Sequence, residues 1–340
     1  MKIGIITQPL LNNYGGILQN YALQEVLRKQ GHYPITIDYI PKTPLWYFFR
    51  SLLKKIVLRI IGKKVSFSLN RKFWGDRKEN FSLFVHKYIS TTKSVFNYRN
   101  TRKLDDFDMF IVGSDQIWRP KFMPYVERDV FLDFCKQKPR MKRIAYAVSF
   151  GTDRWEYTPV LTDVCSKLAK KFDTISVREE SGVKLCKANL GVDATWVLDP
   201  TLLLTKEDYL PICEDVPICN EKYIAVYVLD ENEETTATYE KEAAARGLNI
   251  KKFHADFKST LTVPEWLAMF RDASYVVTDS FHGTVFSIIF GKDFKCVYNK
   301  VRGAARFESL LKLYNSGKLE EMREFSINWL RNALESARKN

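Results

Sequence analysis

One of only four histidines in this 340-residue chain, His282, stands in the run Thr278-Asp279-Ser280-Phe281-His282-Gly283-Thr284, among hydroxyls, a carboxylate and a glycine. A histidine exchanges its proton near neutral pH, so in such company it can donate a proton or pair with an anion. Tyr275 to Val277 before it reads as a buried strand, and the apolar pattern Val285 to Phe290, ended by Gly291, reads as a helix. Strand, polar turn and helix are half of a βαβ unit, and ligands of open α/β sheets sit at such strand ends beside helix N-termini. The bland alternative is a histidine that only satisfies its neighbours in the core.

Three other strand ends carry residues of the same kind. Arg178 follows the strand Ile175 to Val177, where a planar guanidinium can hold a carboxylate or phosphate; an ion pair with Glu179, Glu180 or another acid is the alternative. Asp115 lies in Gly113-Ser114-Asp115-Gln116-Ile117-Trp118, after the stretch Leu104 to Gly113 that ends in a strand, as a base or hydroxyl ligand, or else as a helix N-cap. The first strand, Lys2 to Thr7, leads through Gln8 to Gly16 into a helix expected from about Ile17 to Gln30, so Gly15 and Gly16 would lie at its N-terminus. Glycines there let a ligand approach the backbone, unless they serve only a tight turn. The spacing is not G-x-G-x-x-G, so no dinucleotide is inferred. Arg302 and Arg306 enter a late loop and helix as further cations.

The elements that must position these groups alternate strand and helix in both halves of the chain, which predicts an α/β fold. The length suits two domains, with Trp196 to Leu204 as the crossover. Expected boundaries are 1–198, 199–320 and a terminal helix over 321–340. Six scattered cysteines without a C-x-x-C pair suit reduced thiols, and neither a secretory signal nor a membrane-length apolar run is present, so a cytoplasmic protein is expected. No metal-ligand spacing occurs.

The net charge of +13 is unevenly spread. Lys42 to Gly75 holds nine Lys/Arg and no acid, leaving 44 basic against 40 acidic residues elsewhere. That argues against a nucleic-acid binder. Within the segment, "PLWYFFRSLLKKIVLRIIGKK" places Phe49, Leu52, Leu53, Ile56, Ile60 and Ile61 on one helical side with Arg50, Lys54 and Lys55 elsewhere. Such a helix lies on an anionic membrane surface or packs on its own domain.

The motifs "NYGGILQNYALQ", "VGSDQIW", "YAVSFG", "ISVREESG", "VLDPTLLL", "VTDSFHGTVFSIIFGKDF" and "RGAARFESLL", in this order, resemble the polysaccharide pyruvyl transferase family. The resemblance implies two Rossmann-like domains facing across a cleft, in a GT-B-like arrangement. It implies transfer of pyruvate from phosphoenolpyruvate onto two hydroxyls of a cell-surface hexose, forming a cyclic ketal. No cofactor is expected, phosphoenolpyruvate being a co-substrate. The acceptor would be lipid- or nucleotide-linked, and the protein cytoplasmic or peripheral on the inner face of the membrane.

The resemblance places donor binding on Arg178 and His282; the chemistry adds Ser280, Gly283, Thr284, Arg302 and Arg306 as donor-binding residues. Asn13, Tyr14, Gly15, Gly16, Gln19, Ser114, Asp115 and Gln116 are expected on the acceptor side, with His282, Arg178 and Asp115 as catalytic residues. A nucleotide-sugar glycosyltransferase of GT-B architecture and a non-catalytic saccharide-binding protein are the competing readings.

Overall fold

Each strand end singled out above closes a parallel strand, and all of them open toward one crevice. A computed structural model describes residues 1–40, 45–62, 77–95, 106–124, 126–137, 141–255, 259–298 and 304–339. The first half runs β1 (Lys2–Ile6), α1 (Tyr14–Lys29), β2 (Tyr33–Thr36), α2 (Leu45–Ile60), α3 (Glu79–Tyr88), β3 (Met109–Val112), β4 (Lys142–Val148), α4 (Pro159–Ala169), β5 (Thr174–Val177), α5 (Glu180–Leu185) and β6 (Thr195–Trp196). The second runs α6 (Lys206–Tyr209), β7 (Tyr223–Tyr227), α7 (Glu233–Arg246), β8 (Asn249–Lys252), α8 (Val263–Asp272), β9 (Tyr275–Thr278), α9 (Phe281–Ile289), β10 (Phe294–Cys296), α10 (Ala305–Asn315) and α11 (Leu319–Lys339).

The strands form two parallel sheets, ordered β2-β1-β3-β4-β5-β6 and β10-β9-β7-β8. Parallel sheets are covered on both faces, so their strands read as continuous apolar runs, and β3 and β7 are buried at every residue. In each sheet the winding reverses beside the first strand, between β1 and β3 and between β7 and β9. Those reversals open the crevices in which open α/β sheets bind ligands. The chain is α/β, two Rossmann-like domains facing across a cleft in a GT-B-like arrangement.

One apolar core runs through both domains, from Ile3 and Ile5 under α1, through Leu202 and Leu203 of the crossover, to Trp266 and Phe286. Tyr14 spans the junction: its ring stacks on Trp266 at 5.1 Å and its hydroxyl bonds Ser259 and the Leu261 carbonyl (2.6 Å). The last helix, α11, does not stay with the second domain. It returns to the first, where Ser326 Oγ accepts from the Leu198 amide (2.9 Å), Arg323 donates to the Leu202 carbonyl (2.7 Å), and Trp329 meets Tyr146.

Sequence boundaries shift in one place that matters. The first helix starts at Tyr14, not Ile17, so Gly15 and Gly16 are inside its first turn; Asn13 caps it by accepting from the Gly16 amide (3.1 Å). Helix α2 forms within the expected basic segment. Lys42, Lys63, Lys64, Arg71 and Lys72 of that segment lie outside the described residues, as does Arg302.

Candidate active site

Two helix N-termini meet in the cleft, α1 from the first domain and α9 from the second. Ser280 caps α9 by accepting from the Gly283 amide (3.2 Å), which turns His282 toward α1. The meeting is close: a Cβ placed on Gly15 would stand 1.9 Å from His282 Nδ1. No side chain larger than hydrogen fits there. His282 is only 7% exposed, and its Nε2 has no hydrogen-bond partner, with Asp199 Oδ2 beyond bonding range at 3.8 Å.

Arg178 enters from the end of β5. It donates to Asp199 Oδ2 (2.6 Å) and Asp115 Oδ1 (3.3 Å), and its guanidinium carbon lies 4.6 Å from the centre of the Phe281 ring. Burial pulls its pKa down, but the carboxylates of Asp199, Asp115 and Glu179 outweigh burial and leave it raised. Arg306, in the first turn of α10, comes within 5.5 Å of the same ring from the second domain. Burial first, and then the like charge of Arg178, hold its pKa down to about 10. The Nε atoms of Arg178 and Arg306 are both buried without a partner. Two guanidiniums held this close, with donors unspent beside two helix N-termini, form a site that favours an anion.

Asp199, at the crossover, organises the cluster and received no role from the sequence. Its carboxylate takes Arg178 and Ser114 (2.9 Å) on Oδ2 and the Thr201 amide and hydroxyl on Oδ1. Burial favours its neutral form, yet His282, Arg178 and Thr201 together hold its pKa well below the usual carboxylate range. The signal available was an aspartate after a strand and before a proline, which reads equally as the local cap that it also is. Glu179 is the second residue without an assigned site role. Its Oε1 accepts from Ser149 Oγ and the amides of Phe150 and Gly151, while Oε2 is buried without a partner. Arg178 pairs with neither Glu179 nor Glu180; the ion pairs it makes are with two other acids, Asp199 and Asp115, as the alternative reading also allowed.

Backbone distortion accompanies the site. Asp115 has φ 66° and Ala147, at a register shift in β4, has φ 50°, both in the left-handed region that non-glycine residues rarely occupy. The turn at Asp115 is therefore not a helix N-cap. It sets Oδ1 on Arg178 and the Gln116 amide (2.9 Å), with Oδ2 toward Gly16.

The remaining expected residues divide. Ser114 supports Asp199. Gly283 lies against Thr278, where a Cβ would stand 2.2 Å from its hydroxyl. Thr284 bonds back to the Ser280 carbonyl (3.1 Å). Gln116 holds Arg119 (3.0 Å). Tyr14 and Gln19 are fully buried, the first in the domain junction and the second bonded to Thr7 (2.8 Å) and the Gly16 carbonyl, so neither side chain is open to a sugar as expected. Asp279 turns away from His282 and accepts from the amides of Leu229 (2.6 Å) and Asp230 (2.9 Å). A surface hollow of about 740 Å³ beside Gly31 and Tyr33 lies at the opposite, amino end of the first sheet, away from all these groups.

Among solved structures, the UDP-GlcNAc 2-epimerase from Neisseria meningitidis bound to UDP-GlcNAc is 12% identical, with a TM-score of 0.49 over 99% of this chain and 100% of that one. The UDP-N-acetylglucosamine 2-epimerase from Rickettsia bellii is 9% identical, with a TM-score of 0.44 over 86% and 78%. An alpha-glucosyltransferase in complex with UDP is 10% identical, with a TM-score of 0.43 over 97% and 95%. At such scores these likenesses say nothing of this chain's substrate. No curated protein gives a significant match. The model of one family, polysaccharide pyruvyl transferase, matches residues 13–300. That span runs from the cap of α1 past β10 and takes in Asp115, Arg178, Asp199 and His282; the chain belongs to the polysaccharide pyruvyl transferase family.

Proposed function

We propose that this protein transfers pyruvate from phosphoenolpyruvate onto two hydroxyls of a hexose in a cell-surface polysaccharide or its lipid- or nucleotide-linked precursor, on the cytoplasmic side of the membrane. The observation that carries the reading is the pair of guanidiniums, Arg178 and Arg306, with unpartnered Nε atoms beside His282 at two converging helix N-termini. Phosphoenolpyruvate brings a phosphate and a carboxylate to neutralise them.

His282 Nε2 gives its proton to the methylene carbon of the enol, leaving a cation-like carbon at C2. One sugar hydroxyl attacks C2 and its proton passes to Asp115. The C2–O bond to phosphate then breaks, its electron pair leaving with the phosphate, which takes up the proton held by Asp115. The second hydroxyl closes the ring at C2, and its proton restores His282. Arg178 and Arg306 stabilise the charge gathering on the departing phosphate. Asp199 fixes Arg178 and lies beside His282, acting through both as a positioning residue.

The test is phosphate release from phosphoenolpyruvate, screened against lipid-linked and aryl hexosides, beside thermal unfolding with each donor. Release with one acceptor, and stabilisation by phosphoenolpyruvate, are expected. Stabilisation by a nucleotide-sugar without phosphate release would replace this reading with glycosyl transfer; glycan binding with no turnover would replace it with a binding protein.

A further inference from the structure

Helix α2 leaves its most apolar side in solvent. At about 100° per residue, Leu45, Phe49, Leu53, Ile56, Val57 and Ile60 fall within one arc of about 120°. They are 54, 56, 63, 39, 54 and 81% exposed. Leu52, at one edge of the arc, and Phe48 and Leu58, further round, are half-buried. Arg59 lies just beyond Leu52 on that edge, and Arg50 and Lys54 border the other; all three cations are exposed. The stripe thus points away from the protein body and is edged with cations on both sides.

The root of this excursion is tied to the candidate site. The chain leaves after β2 and returns at Arg77, which bonds Asp38 (2.7 Å) and the Leu10 carbonyl, while the Lys78 amide donates to Asn12 (3.1 Å). Leu10 and Asn12 belong to the loop that delivers Gly15 to His282. A second copy fits the stripe poorly. Two stripes face to face would bring Arg50, Lys54 and Arg59 of both copies together, with no acid between Lys42 and Gly75 to offset them. Anionic lipid satisfies both features at once, taking the apolar side into its acyl boundary and the cations to its phosphates. With 16 residues, α2 is too short to span a bilayer. Among the described residues no helix is long and apolar enough to do so.

We propose that α2 lies in the plane of an anionic bilayer with this stripe buried, which sets the rim of the cleft at the membrane surface. Its consequence, that a lipid-carried acceptor meets the site there, rests on the pyruvyl-transfer reading; the docking does not. The test is flotation of the full chain with vesicles of phosphatidylcholine alone or mixed with phosphatidylglycerol. Binding is expected to the mixed vesicles only and to fall as salt rises. Leu53→Glu with Ile60→Glu should lower it tenfold or more, and Arg50→Gln with Lys54→Gln by roughly fivefold per charge, with thermal unfolding unchanged in both. No flotation, flotation indifferent to the double Glu variant, or a dimer in sedimentation that this variant abolishes without any flotation would overturn the docking. Phosphate release on a soluble aryl hexoside is followed in parallel. Flotation without release removes only the reaction, and release without flotation removes only the docking.

Discussion

Helices α1 and α9 begin alike and do opposite things. Each is opened by a short polar cap, Asn13 or Ser280, accepting from the amide of a glycine three residues on, Gly16 or Gly283. Helix α9 uses its first turn to present an imidazole. Helix α1 presents nothing of its own to the imidazole, since Gly15 yields the volume that the ring occupies. A residue without a side chain can thus belong to a site as firmly as one with a titratable group. One helix supplies chemistry and the other supplies room.

Removing the chemistry should cost most. His282→Gln is expected to lower turnover by roughly 10²- to 10⁴-fold, while thermal unfolding stays close to that of the parent; near-parent phosphate release would end the assignment of His282 as acid. Removing the room should cost almost as much without touching a polar atom. Gly15→Ala is expected to lower kcat by about a hundredfold, because the imidazole must shift from a methyl group that would overlap it. If Gly15→Ala turned over normally, the two helices would not be acting as a pair in the reacting state.

The cluster that joins the helices gives two smaller tests. Asp199→Asn leaves Arg178 without its closest carboxylate in a buried place, at a cost of roughly 3 kcal/mol. Because the folded-state pKa of Asp199 is depressed, its contribution is present above the ordinary carboxylate pKa of about 4 and is lost as pH falls below it. The gap in melting temperature between parent and variant should therefore close on acidification; a gap constant with pH would exclude this origin. Arg306→Met is the smallest. A cation whose pKa is lowered to about 10 opposes folding at neutral pH, where it is charged. The variant should melt a few degrees higher without donor and lose the stabilisation that phosphoenolpyruvate gives the parent. A lower melting temperature would show that Arg306 is structural.

Much of this was legible from residue types at strand ends, because strand, turn and helix are local and the chemistry sits in the turn. Arg178, His282 and Asp115 do converge, and Arg306 joins them. What escaped was set by partners remote in sequence. The apolar pattern starts α1 three residues late, since two glycines are poor helix formers and only the Asn13 cap and burial hold them helical. Tyr14 and Gln19 look like sugar ligands on paper, and only packing shows that they bind Ser259 and Thr7. Asp199 is the instructive omission. Its local bonds to Thr201 hide a second set, to Ser114 and Arg178, which nothing in its neighbourhood announces.

The return of α11 to the first domain has a consequence in time. Leu330 and Leu334 are buried there, and Ser326 receives the amide of Leu198, so the layer over Tyr146 is closed by residues some 180 positions away along the chain. On a ribosome, the first domain has its sheet long before it has this cover. Until residues 319–339 are made, that apolar patch is open to water and to chaperones. The domain that begins the chain is therefore completed last, and the cleft it shares with the second domain reaches its final geometry only after synthesis has passed both.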